Sequence, residues 1–156
     1  AKDRSSPAEI LPKNAGNLMA MIDRYHQKYP MFGVCLGLEA LIEYFGGSLK
    51  FVKPVHGKSS PIQHDGKTIF SGLDEQFPAG RYHSLAADVV PDCFEVSAKC
   101  EGEFSPISPP RIVMAIRHKT LPIEGVQFHP ESVLSMKGNN GFRLMENVVQ
   151  KKFTNV

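Results

Sequence analysis

Apolar residues recur at helical spacing in three stretches of the chain. Leu18, Ile22 and Tyr25 fall at i, i+4 and i+7 with Met21 beside them, so residues 15–29 read as a helix that Asn14 or Asn17 would cap. Leu36, Ala40, Leu41, Tyr44 and Phe45 form a second stripe over 36–45, which Gly46-Gly47 ends. Phe142, Met145, Val148 and Val149 define a closing helix over 141–152. Between these, residues 31–34 are a short apolar run suited to a buried strand. Further strands are expected at 48–52, 81–89, 94–98, 111–118 and 123–128. Turn signals separate them at His64-Asp65-Gly66, Ser71-Gly72, Pro91-Asp92 and the proline-rich stretch 105–110, and residues 1–14 read as a loop. Strands that alternate with helices predict an α/β fold. The expected form is a three-layer sandwich with a mostly parallel central sheet, to which a hairpin-rich middle adds antiparallel strands. A length of 156 residues fits a single domain over 1–156.

Composition narrows the function classes. Hydrophobic residues at 42% and charged ones at 22% suit a folded chain with a core that needs no staples. The net charge is +2 and the 18 Lys and Arg are scattered, which argues against nucleic acid as the ligand. No apolar run approaches the roughly 20 residues of a membrane span, and no signal peptide opens the sequence, so a cytoplasmic location is expected. The three cysteines cannot all pair, and none forms a C-x-x-C. A Cys93–Cys100 disulfide is open on spacing, but free thiols are the expectation in a reducing compartment. His56 and His64 lack metal-ligand spacing, so no metal site is expected.

Two segments carry chemistry. Gly33-Val34-Cys35-Leu36-Gly37 sets a cysteine between glycines, after an apolar strand and before a helix. That is the recipe for a nucleophile elbow, a tight turn that needs small neighbours and projects its nucleophile at the sheet's edge. The helix N-terminus should favour the thiolate, and the Leu36 N–H is one oxyanion donor. The second segment, Gly125 to Glu131, ends a strand in His129-Pro130-Glu131. His129 can accept the thiol proton while the Glu131 carboxylate orients its other ring nitrogen. Cys35, His129 and Glu131 are therefore the candidate catalytic set.

Together these motifs resemble the triad-type class I glutamine amidotransferases, from about residue 15 to the end of the sequence. His56-Gly57-Lys58, Ile62 with His64-Asp65-Gly66, Arg81-Tyr82-His83-Ser84-Leu85 and Met114-Ala115-Ile116-Arg117-His118 sharpen the likeness to the chorismate-linked branch, the glutaminase subunits of anthranilate and aminodeoxychorismate synthases. The resemblance implies that Cys35 attacks the side-chain amide of glutamine to form a γ-glutamyl thioester, with His129 as acid and base. It places Leu36, Glu39, Ser84 and Leu85 at the substrate, and the loop at His56–Lys58 near a partner interface. It also implies no cofactor in this chain, and ammonia delivery to a chorismate-using synthase subunit for anthranilate and tryptophan biosynthesis.

Two departures from the family stand out. Gly37 is followed by Leu38-Glu39 where the family carries His-Gln; a glutamate keeps acceptor oxygens but loses the amide donor and sets a charge beside the nucleophile. Nothing in the sequence matches the family's N-terminal strand and Pro-Gly-Pro-Gly loop, which supplies the second oxyanion N–H. Ser6-Pro7-Ala8-Glu9 resembles only the family segment just past that loop. Three alternatives stay open: the aminodeoxychorismate (folate) subunit, a γ-glutamyl hydrolase, and an interaction subunit that turns over poorly.

Overall fold

The computed structural model describes residues 16–101 and 111–150. The predicted loop at 1–14, the proline-rich turn at 105–110 and the last residues of the closing helix lie outside the described residues. The chain order is α1 (Leu18–Tyr25), β1 (Met31–Val34), α2 (Leu36–Tyr44), β2 (Ser48–His64), β3 (Gln76–Val89), β4 (Phe94–Glu101), β5 (Arg111–His118), β6 (Ile123–Val126) and α3 (Asn140–Val149). Helix α1 is shorter than its apolar pattern. The His26 ring donates from Nδ1 to the Ile22 carbonyl at 2.9 Å and caps the helix there. Asn17 holds the N-cap position without a side-chain bond.

The six strands form one sheet in the order β1-β6-β5-β4-β2-β3. Only β1 and β6 run parallel; β5–β6, β4–β5, β2–β4 and β2–β3 are antiparallel. The expected mostly parallel sheet is therefore corrected to a mixed, mainly antiparallel one. The reason is connectivity. Strands joined in sequence by short loops, β4 to β5 to β6, fold back on each other. β1 reaches β6 only after α2 and the whole β2–β5 region have intervened.

Strand β2 runs well past the expected 48–52. It continues through Pro54, Gly57 and Pro61, residues that read as breakers. The ladder to β3 accommodates them with register shifts between Phe51/Val55 and His56/Lys58, and Gly57 sits at φ +66°. Most of β2 is solvent-exposed, so its sequence carries no buried period to read. β3 likewise starts at Gln76 rather than Arg81.

Two apolar clusters make the core. Leu38, Leu41 and Ile42 of α2 join Ile22 of α1, Phe94 and Ile123 in one, with Val113 packed against it. Phe70, Phe77, Met114, Phe128 and Leu144 build the other, with Met145 and Val148 of α3 packed against it. Val113 meets the first cluster while Ile112 and Met114 belong to the second, so the clusters lie on opposite faces of β5. Because β1 and β6 are parallel neighbours in register, the residues that come after each of them emerge at the same end of the sheet.

Candidate active site

Cys35 occupies the junction between β1 and α2 at φ 53°, ψ −99°, a conformation that costs a non-glycine residue about 1–3 kcal/mol. The fold pins it there: its N–H donates to Val126 O at 2.8 Å, and its own carbonyl accepts from Glu39 N–H at 3.1 Å. The expected elbow is present, but its two glycines differ. A Cβ on Gly33 would stand 2.6 Å from the Gly37 carbonyl carbon and 2.9 Å from Leu38 N, both backbone atoms. On Gly37 it would meet nothing within 4 Å among the described residues. Gly33→Ala should therefore destabilise the fold by about 1–3 kcal/mol or more through overpacking. Gly37→Ala, inside a helix, should be neutral or stabilising by up to about 1 kcal/mol. Chemical denaturation of the two variants checks this; equal losses would contradict the distinction.

Cys35 opens on a cavity of about 620 Å³ that Val34, Leu36, Glu39, Tyr82, His83, Ser84, His129, Glu131 and Ser132 also line. Past β6 the chain is stapled to β3. His129 N–H donates to Gly80 O at 2.9 Å, Gly80 N–H to Ser135 Oγ at 2.8 Å, and Ser135 Oγ–H to His129 O at 2.7 Å. The His129 ring bonds through Nδ1 to Glu131 Oε1 at 2.5 Å, and the Tyr82 ring meets it edge-on at 5.4 Å between centroids. Tyr82 is held in turn by a hydroxyl contact of 3.3 Å with Ser132. With Nδ1 engaged, Nε2 is the His129 nitrogen that can exchange a proton.

The second histidine in the cavity is unsuited to that work. His83 Nδ1–H donates to Leu85 O at 2.8 Å, and Arg81 Nε–H donates to His83 Nε2 at 3.0 Å. Burial, then the Arg81 charge, pushes its pKa down to about 4, so it stays neutral with both nitrogens occupied.

Electrostatics at Cys35 overturn one expectation. Burial, then the Glu39 charge and more weakly that of Glu131, push the thiol up to about 11. A hydrogen bond from Gln127 and one with the Leu36 backbone act the other way without prevailing. The helix N-terminus thus does not yield a resting thiolate, and the site must remove the proton during reaction. Glu39 is itself 4% exposed, and burial, with Glu43 adding, lifts its carboxyl to about 7.

Of the residues expected from sequence, Cys35, Leu36, Glu39, Ser84, His129 and Glu131 meet around this one cavity. Leu85 does not line it; its side chain is buried and its carbonyl holds His83. Gln127 was missed as a site residue. It donates from Nε2 to Cys35 Sγ at 3.6 Å and is fully buried. The available signal was a polar residue inside an apolar strand sequence, which demands a partner. All three cysteines are free. Among the described residues no cluster of His, Cys, Asp and Glu could hold a metal ion, and no helix is long and apolar enough to cross a membrane.

A thiol, an imidazole and a carboxylate sharing one cavity form the constellation of cysteine-based acyl transfer. Residues 6–147 match the family model for class-I glutamine amidotransferases. The sequence is 45% identical over 142 residues to anthranilate synthase component 2 of Haloferax volcanii, covering 88% of this chain and 67% of that protein. It is also 45% identical over 142 residues to the aminodeoxychorismate/anthranilate synthase component 2 of Bacillus subtilis, covering 88% and 69%. Against aminodeoxychorismate synthase component 2 of Klebsiella aerogenes the identity is 41% over 143 residues, covering 89% and 72%. Among solved structures, a putative GMP synthase subunit from Thermoplasma acidophilum superposes with a TM-score of 0.73 at 25% identity, covering 90% of this chain and 64% of that one. The chain belongs to the class-I glutamine amidotransferase family. It spans about two thirds of the length of these curated relatives.

Proposed function

We propose that this chain is the glutaminase component of a chorismate-using synthase, working on the anthranilate branch. The carrying observation is Cys35, held at a strained elbow, in one cavity with the His129–Glu131 pair. In this reading the Cys35 thiol passes its proton to His129 Nε2 as sulfur attacks the side-chain carbonyl of glutamine. His129 returns the proton to the leaving nitrogen, ammonia departs, and a γ-glutamyl thioester remains. Water, deprotonated by His129, then releases glutamate and restores the thiol. Glu131 keeps the imidazole oriented, and the Leu36 N–H receives the developing oxyanion. Ser84 and Glu39 flank the substrate, and Leu85 acts one step back by fixing His83. This chain contributes no cofactor; the partner is the synthase subunit that aminates chorismate.

The names of the relatives support both branches, and the regiochemistry of chorismate amination belongs to the partner's active site. The test is reconstitution. This chain with glutamine should restore anthranilate formation by its cognate synthase at low ammonia, and ammonia release should rise with the partner present. Aminodeoxychorismate as the sole product would move the chain to the folate branch. A second reading, a subunit that binds its synthase but turns over slowly, is favoured by the buried Glu39 carboxyl beside a thiol held protonated.

A further inference from the structure

Gln127 sits where a core residue should be apolar. Its backbone N–H donates to Met114 O at 2.8 Å, which any residue could do. Its side chain is fully buried, yet Oε1 has no hydrogen-bond partner among the described residues. An unsatisfied buried acceptor lowers stability, and an apolar side chain of similar shape would avoid that loss. What the amide does have is the nucleophile: Nε2–H points to Cys35 Sγ at 3.6 Å. The Glu39 carboxyl lines the same cavity one helical turn after Cys35, close enough for its charge to bear on the thiol and for this amide to temper its own titration.

We propose that Gln127 is the donor that stabilises the Cys35 thiolate, and that the charge on buried Glu39 sets how well it does so. The proposal rests on reading Cys35 as the nucleophile and adds a positioning pair to it. Neutral Glu39 leaves the Gln127 N–H groups to the sulfur. Ionised Glu39 attracts the same amide and adds a negative charge next to the sulfur, so it works against the thiolate twice. The other titratable groups bearing on this pair are Glu43, which acts on Glu39 from α2, and Glu131, which acts on Cys35 from beyond β6. His129 and His83 complete the set; His83 already carries both its bonds and contributes no charge near neutral pH.

The experiment is the rate of Cys35 alkylation by iodoacetamide from pH 6 to 10, followed on the Cys35 peptide by mass spectrometry so that Cys93 and Cys100 do not interfere. Gln127→Met should slow alkylation at pH 8–9 by about 10-fold or more, because a thiolate that loses a hydrogen bond is harder to form. The same variant should unfold at an equal or higher temperature than wild type, an outcome no purely structural glutamine would give. Glu39→Gln should speed alkylation about 10-fold at the same pH, and that gain should shrink when Gln127 is Met. Superimposable profiles for wild type and Gln127→Met overturn the proposal, as does a Glu39→Gln gain that is undiminished in the double variant. If Gln127→Met does not fold, Gln127→Asn, which retains the amide but shortens its reach, must show the slower alkylation or the proposal falls. None of these readouts requires glutamine. A wild type that alkylates as described but releases no ammonia would leave the pair intact and defeat the glutaminase reading alone.

Discussion

Cys35→Ser should lower ammonia release from glutamine by a factor of about 10⁴–10⁶ while leaving the fold intact. The site already holds a thiol near pKa 11, so fewer than about one molecule in a thousand carries a thiolate at neutral pH. A hydroxyl is several orders of magnitude less acidic, and the same burial and the same carboxylates oppose its ionisation. Serine keeps the volume and tolerates the pinned backbone about as well as cysteine, so unfolding stability should stay within about 1 kcal/mol. Cys93→Ser is the control: Cys93 packs against the α1–α2 cluster away from the cavity, and its replacement should leave turnover unchanged. The measurement is steady-state ammonia production with the partner present, alongside trapping of the γ-glutamyl thioester. Turnover above about 1% of wild type in Cys35→Ser would remove the covalent mechanism.

Arg117→Met should cost about 3–5 kcal/mol of stability at pH 8. Arg117 is 1% exposed and gathers three carboxylates: Asp65 at 2.6 Å, Glu95 at 2.9 Å and Glu124 at 3.0 Å. It also donates to Thr68 Oγ1 at 3.0 Å and Lys67 O at 3.2 Å. Methionine retains the apolar stem but strands Glu124, which is 0% exposed and has one oxygen without a partner among the described residues. Burial already lifts Glu124 to about 7, with Thr68 and Arg117 restraining it. Since the folded state holds that proton more tightly than the unfolded one, its contribution to stability declines as pH rises from about 4.5 to 7. Buried Glu39, also near 7, adds a decline of the same sign. Asp65 behaves oppositely. Burial pushes it up, but hydrogen bonds from Arg117 and the Lys67 backbone outweigh that and hold it below the usual range. Its contribution is present above the ordinary aspartate pKa and is lost as pH falls through the folded value. Removing the cation should therefore steepen the fall in stability between pH 5 and 8, and Glu124→Gln in the same chain should recover part of the loss. Denaturant midpoints across that range decide it; a loss in Arg117→Met that does not grow with pH would refute the buried-carboxylate account.

Glycines and the cysteine at 33–37, the His-Pro-Glu run at 129–131 and the three apolar stripes were legible because each is a local pattern. An elbow needs its small residue within two positions of the nucleophile, and a strand-end histidine finds its carboxylate two residues on. Even there the contacts refine the reading, since Gly33 is demanded by the backbone of Gly37 and Leu38 while Gly37 has room to spare. Strand direction was not legible. The pattern of helices and strands is the same whether β6 lies beside β1 or elsewhere, and pairing is decided by connections that fold β4, β5 and β6 back on one another. The length of β2 was hidden for a different reason, because an exposed strand with bulges at Pro54 and Gly57 buries too little to show a period.

What the sequence by itself determined is the inventory of chemistry: a nucleophile on a strand–helix turn, an imidazole with its carboxylate, and the order in which they occur. What only the tertiary structure decided is how that chemistry is tuned. Gln127 lies 92 residues from the sulfur it touches, and the charge of buried Glu39 acts on that same sulfur. Desolvation and charge act through space over a few ångströms, so their effect on Cys35 exists only once β1, β6 and α2 have packed together.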